Sequence, residues 1–253
     1  MKKVNLLSIP VSTGTYTEFI ENIVELANVK RNGYTCVANV HMLIEAYKNK
    51  SFANIVRNAN IITPDGKPLA WALRMLYGIK QERVAGMDLL PDLLSAASAK
   101  SLSVYFYGGT EDVLKGTGQY VKRNYQNLKI AGTFSPPFRT LSPEEEDFVV
   151  EKINSSGANL VFVVLGCPKQ EKWMASVYSK INAVLVGVGG AVPVMIGMQK
   201  RAPKWMQNIG LEWVFRLVQE PKRLFKRYAV TNSLFLYLLL KEYFRQKVLK
   251  TAL

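Results

Sequence analysis

The chain has 253 residues, 49% of them hydrophobic, and carries 33 Lys and Arg against 19 Asp and Glu, a net charge of +14. That length and apolar content suffice for a substantial core, expected as one compact unit of about 195 residues plus a basic appendage. The two cysteines, Cys36 and Cys167, exclude a disulfide framework and lack metal-ligand spacing, and the apolar run in MKKVNLLSIPV is too short for a signal-peptide core.

Short β-type runs alternate with helical stretches along the first three quarters of the chain. VNLLSI at 4–9 reads as the first strand and leads through Thr13 and Gly14 into a helix candidate at 15–30. YTCVA at 34–38 follows, ending in the strand-to-helix turn Ala38-Asn39-Val40-His41. NIIT at 60–63 runs into Thr63-Pro64-Asp65-Gly66, where proline and glycine force a tight turn before a helix at 66–77. Asp65 is there either a carboxylate presented for chemistry or an ordinary helix cap.

Next comes Arg83-Val84-Ala85-Gly86-Met87-Asp88, with Arg83 a candidate anion clamp and Asp88 favoured as the start of a helix at 87–100. SVYFYG at 103–108 opens through Gly108-Gly109-Thr110 into a helix at 111–125, so its backbone amides are candidates to cradle a phosphate. LKIAG at 128–132 precedes a helix at 143–155. The apolar strand NLVFVVLG at 159–166 leads into Gly166-Cys167-Pro168-Lys169-Gln170-Glu171, which places Lys169, Gln170 and Glu171 in the first turn of a helix at 169–180, where Gln170 and Glu171 are expected to contact substrate. AVLVGVG at 183–189 ends in Gly187-Val188-Gly189-Gly190, where Gly189 lets the backbone approach a ligand closely. The alternation predicts a Rossmann-like α/β fold, a largely parallel sheet flanked by helices over 1–196, with ligands gathering where strands end.

From 197 to 253 there are twelve Lys and Arg against three Glu, so +9 of the net charge lies in a basic, amphipathic, helical appendage. In it Leu211, Val214, Phe215 and Val218 recur at three and four residues while Arg216 takes another face. AVTNSLFLYLLL at 229–240 is strongly apolar but far short of the roughly 20 residues of a membrane span. It is therefore expected to lie on, dip into or pack against something, and a peripheral anchor on an anionic membrane surface fits best. Nucleic acid is not expected as a partner, because the cations come with no helix-turn-helix, RNP or zinc-finger pattern. An exposed apolar appendage favours self-association, so a homo-oligomer is also expected away from membrane.

In their order, TPDG at 63–66, RVAGMDL at 83–89, GG at 108–109, GCPKQEKW at 166–173, VGVGG at 186–190, RAPKWMQNIGLEW at 201–213 and FRLVQEPKRLFKRY at 215–228 resemble the WecG/TagA/CpsF family of bacterial glycosyltransferases. One departure is visible: after VGVGG this chain reads AVPVMIGMQKRAP where the family commonly has a more polar segment with an aspartate.

The resemblance implies sugar transfer from a UDP-sugar donor to a polyprenyl-diphosphate-linked acceptor at the cytoplasmic face of the membrane. The best-known case moves N-acetylmannosamine onto undecaprenyl-diphosphate N-acetylglucosamine for the teichoic acid linkage unit, and relatives use a uronic acid or hexose donor. A hydroxyl acceptor needs a general base, and Asp65 is the expected one, in a single inverting displacement. The sequence has no Asp-X-Asp motif and a single histidine, His41, so no metal or other cofactor is expected. Countercharge for the departing UDP is expected from Arg83, Arg216, Arg223 and Arg227, whose guanidinium groups pair bidentately with phosphate. Asn39 and Gln170 are expected to hold sugar hydroxyls or the acetamido group. A non-catalytic basic binding module is the competing reading; it predicts that Asp65→Asn is silent and that binding falls steeply with salt.

Overall fold

The computed structural model describes the backbone of residues 1–251 and the side chains of 1–248; residues 252 and 253, the end of the expected appendage, lie outside the described residues. The chain begins with β1 (Lys2–Leu6) and β2 (Ile9–Thr13), an antiparallel hairpin turned at Leu7, which takes a φ of 57°. The run at 4–9, expected as one strand, is thus folded back on itself, and its alternation continues into β2 on the other side of the turn.

There follow α1 (Tyr16–Asn28), β3 (Gly33–Ala38), α2 (Val40–Lys48), α3 (Lys50–Asn58), β4 (Ile61–Pro64), α4 (Lys67–Tyr77), α5 (Gly86–Ala99), β5 (Val104–Gly108) and α6 (Glu111–Asn124). The unit closes with β6 (Ile130–Phe134), α7 (Pro143–Ser156), β7 (Leu160–Val164), α8 (Lys169–Val177), β8 (Val184–Gly187) and α9 (Ala191–Met195). The helices α2 and α3 fill a stretch for which the sequence marks only a starting turn. Each is capped by an asparagine, Asn39 and Asn49, whose side chain accepts from a backbone N–H of the first turn.

Six strands form one parallel sheet in the order β4-β3-β8-β7-β5-β6. Both its faces are covered, which is why the inner strands read as unbroken apolar runs. Along β7 the side chains alternate between two buried layers: Val161 and Val163 join Met42, Phe52, Leu73 and Trp173 on one face, and Leu160 and Phe162 join Phe19, Leu89, Leu114 and Val192 on the other. Because all six strands run the same way, the ends of β3, β4, β5, β7 and β8 open onto one edge of the sheet. That edge holds every turn singled out in the sequence.

Beyond α9 come α10 (Lys204–Asn208), α11 (Glu212–Gln219) and α12 (Pro221–Thr251). Pro221 starts α12 where its missing N–H costs nothing. Leu224, Thr231, Phe235, Leu238 and Leu239 form a buried stripe on α12, which packs across α2 and α4 and joins the core layer of Met42 and Leu73. The apolar run at 229–240 therefore packs one side against the protein, while Val230, Leu236, Tyr237 and Leu240 on its other sides stay exposed. Among the described residues no helix is long and apolar enough to cross a membrane.

Candidate active site

The site is built around the end of β4. The Asp65 N–H donates to the Ala38 carbonyl at 2.7 Å, and the Val84 N–H donates to the Pro64 carbonyl at 3.0 Å, pinning the turn between β3 and the loop that precedes α5. Gly66, with a φ of 92°, turns the chain into α4 and is itself the N-cap, with no side-chain cap bond. Asp65 is thus not spent on capping, and its carboxyl faces the site instead. Asn39 caps α2 through its Oδ1, which accepts from the Met42 N–H at 3.1 Å, leaving the amide nitrogen for Asp65.

Burial pushes the Asp65 carboxyl up from an ordinary 3.8 to about 7, and the Glu212 carboxylate pushes the same way. Arg216, Arg83 and the Asn39 amide pull it back down. The result is a carboxylate that changes protonation near neutral pH, and a base poised there is efficient at taking a proton.

Arg83 is shared between carboxylates: Nη1 lies 2.8 Å from Glu212 Oε2 and Nη2 lies 2.7 Å from Asp88 Oδ2. Asp88 sits in the first turn of α5, and its other oxygen takes Arg201 at 2.5 Å. Core and appendage are therefore joined by two ion pairs of opposite sense. Glu212 was not among the sequence candidates, nor was Arg201. Both lie in the motif at 201–213, but that motif does not name their partners, since Glu212 and Arg83 stand 129 residues apart.

Arg216, half-buried on α11, sits within the field of Asp65 and close to the β8–α9 turn, where a methyl placed on Gly190 would lie 3.5 Å from its Nη2. Arg227 on α12 is half-buried beside His41, and its Nε has no hydrogen-bond partner. Burial first, then Arg227, lowers the pKa of His41, whose ring also hydrogen-bonds the Cys167 backbone. Arg223 is exposed and ion-paired with Glu220 in its own neighbourhood. The structure thus gathers Asn39, Asp65, Arg83 and Arg216, sets Arg227 and His41 beside the Cys167 turn, and leaves Arg223 outside.

The β7 and β8 turns meet through Gln170. Its Oε1 accepts from the Gly166 N–H at 3.1 Å and its Nε2 donates to Glu171 Oε1 at 2.7 Å. A Cβ on Gly187 would fall 2.8 Å from that Nε2, and one on Gly189 would fall 3.1 Å from Oε1, so both glycines make room for the amide. Glu171 has no solvent exposure, and Lys169 and Lys172 point outward.

Gly108 and Gly109 lie on the same edge but apart from Asp65. Four strand positions separate β5 from β4, roughly 19 Å at about 4.8 Å each. Gly108, at a φ of 100°, is required by close approach to β7, since a Cβ would sit 2.8 Å from the Val164 carbonyl oxygen. The N-terminus of α6 is capped by Thr110 and already carries Glu111 and Asp112 in its first turn, which opposes an added anion there. Among the described residues no three His, Cys, Asp or Glu side chains gather into a metal-binding group.

Known proteins match this chain over most of its length. The profile of the glycosyl transferase WecG/TagA/CpsF family matches residues 4–249. A Bacillus subtilis (strain 168) protein named N-acetylglucosaminyldiphosphoundecaprenol N-acetyl-beta-D-mannosaminyltransferase is 31% identical over 226 residues, covering 88% of this chain and 86% of its own. A protein of the same name from Bacillus spizizenii (strain ATCC 23059 / NRRL B-14472 / W23) is 33% identical over 195 residues, covering 76% and 74%.

Proposed function

This chain belongs to the WecG/TagA/CpsF glycosyltransferase family, and from that premise we propose that it transfers N-acetylmannosamine from UDP-N-acetylmannosamine to undecaprenyl-diphosphate-linked N-acetylglucosamine, with Asp65 as general base. The names of the two relatives support the choice of sugar and acceptor. The observation that carries the mechanism is the Asp65 carboxyl, unused as a helix cap and titrating at about 7.

In the proposed step the acceptor hydroxyl oxygen attacks the anomeric carbon as the bond to UDP breaks. The proton passes to Asp65, the electron pair leaves with UDP, and the configuration inverts. Arg216 is placed to meet the charge that develops on the diphosphate, with Arg227 reaching in from α12. The reaction then needs no metal, because fixed guanidinium groups supply the countercharge.

On this reading the reaction takes place at the cytoplasmic face of the membrane. The exposed side of α12 supports this, since Phe225, Tyr237, Leu240 and Phe244 stand among Lys222, Lys226, Lys241 and Arg245. Each such cation contributes about 1 kcal/mol next to anionic lipid. Away from membrane the same face is expected to promote self-association.

The test is UDP release from UDP-N-acetylmannosamine with a lipid-diphosphate N-acetylglucosamine analogue, in detergent and EDTA. Wild type should turn over despite the chelator, and Asp65→Asn should lose on the order of 10²–10⁴-fold. Retained turnover in Asp65→Asn rejects the base assignment. Turnover with only a different UDP-sugar changes the donor and leaves the base in place.

A further inference from the structure

Glu171 is, among the described residues, the one side chain of an ordinarily charged type that is wholly buried. Its Oε1 accepts the Gln170 Nε2–H, its Oε2 has no hydrogen-bond partner, and the Cys167 thiol lies alongside. Burial raises its pKa, which favours the neutral acid, against the weaker pull of Gln170, the Glu171 backbone N–H and the Cys167 thiol. A carboxyl buried with one oxygen lacking a hydrogen bond is costly, and an apolar pair in place of Gln170 and Glu171 would avoid that cost. Such a group calls for a reason.

The reason lies in what Glu171 does to its neighbour. The Gln170 amide is held at both ends, by the Gly166 N–H on oxygen and by Glu171 on nitrogen, so it cannot flip. In that one orientation it fills the space left by Gly187 and Gly189 and joins the turn after β7 to the turn after β8. The β8 turn continues to Gly190, against which the Arg216 guanidinium rests.

We infer that Glu171 is a positioning residue: it touches no substrate, but fixes the Gln170 amide and through it the two turns that seat the donor beside Asp65 and Arg216. This rests on the reaction proposed above. It reassigns Glu171 from the contact role expected of its motif to one that acts through Gln170. Because an acceptor oxygen toward Gln170 is what matters, a neutral amide at position 171 can serve as well as the acid.

The experiment compares Glu171→Gln, Glu171→Leu, Gln170→Ala and the Gln170→Ala/Glu171→Leu double variant, with Asp65→Asn as control. Glu171→Gln should stay within about threefold of wild type and keep its pH profile. Glu171→Leu should lose turnover on the order of 10²-fold, the penalty of a small misplacement of reacting groups, with a smaller change in KM for the donor. Its melting temperature should fall only modestly, because the orphaned Glu171 oxygen goes but the Gln170 Nε2–H loses its acceptor, and the variant should remain fully folded at the assay temperature. The double variant should be no worse than the more impaired single.

Hydrogen exchange gives a readout independent of activity: the Gly166 amide should exchange faster in Glu171→Leu and as in wild type in Glu171→Gln. Multiplying losses in the double variant, an active Glu171→Leu, a Glu171→Gln as impaired as Glu171→Leu, or a Gly166 amide indifferent to Glu171→Leu each overturns the inference. An activity loss in Glu171→Leu no larger than its loss of folded protein at the assay temperature also overturns it, by showing a merely structural role. If Asp65→Asn is active, it is the base assignment above that fails, and the exchange result still decides the role of Glu171.

Discussion

At Asp65 two residues from the appendage act against each other on one proton. Glu212 raises its affinity and Arg216 lowers it. The acid side of the kcat/KM profile should therefore fall below about pH 7 in wild type. Removing the negative charge with Glu212→Gln also frees Arg83 to face Asp65, so the fall should move to lower pH; Arg216→Ala should move it higher. A profile that stays put in both variants would show that the group titrating in the rate is not Asp65. The folded-state pKa lies above the unfolded one, so the contribution of this carboxyl to stability is full below about pH 4 and is lost as pH rises through 7. Asp65→Asn should accordingly gain in melting temperature relative to wild type at pH 8 and not at pH 4. The turn carrying Asp65, and Asn39 on the neighbouring strand, were legible because proline, glycine and asparagine announce strand ends chemically. The roles of Glu212 and Arg201 were not, because the motif at 201–213 that holds them does not say which distant charges they meet.

Among the elements, the inner strands of the sheet were legible because burial on both faces writes them as unbroken apolar runs. The edge strand β6 was harder: it begins two residues later than the apolar pattern suggests, because Leu128 buries itself in the core from the preceding loop rather than from the strand. The long helix α12 reads in sequence as an apolar stretch between basic ones, and its division into a packed stripe and an exposed side depends on where α2 and α4 lie. That division is testable. Phe235→Ala, on the packed stripe, should cost about 3–5 kcal/mol in urea unfolding. Leu236→Ala, one residue on but exposed, should change stability by less than about 0.5 kcal/mol and weaken sedimentation with anionic vesicles instead. Equal effects on stability would mean that α12 does not pack as described.

For the whole molecule, both the packing and the proposed site cross the division expected at 196 and 197. Asp65 and Asn39 come from the core, Arg216 and Arg227 from the appendage, and α12 closes over α2 and α4. A chain ending at residue 196 should keep its sheet by circular dichroism, melt at a lower temperature, and show no transfer even to a soluble acceptor analogue. Full activity in that truncated chain would remove the appendage from the mechanism. The fold class was legible because alternation of strands and helices is a property of the whole chain. The coupling of the two parts was not, because it rests on ion pairs such as Arg83 with Glu212 that only the folded protein brings together.

The pairing of β3 with β8 sets residue 33 against residue 184 in the middle of the sheet. On one side of that seam stand β3 and β4 with Asn39 and Asp65; on the other stand β8, β7, β5 and β6 with Gln170 and Gly190. Pairings between segments so distant in sequence are slow to form, because the loop entropy must be lost before the contacts are gained. A chain that is refolding assembles each side from more local contacts and joins them late. The proposed catalytic residues straddle the join, so helical content should return first, and competence only with the closing of the seam.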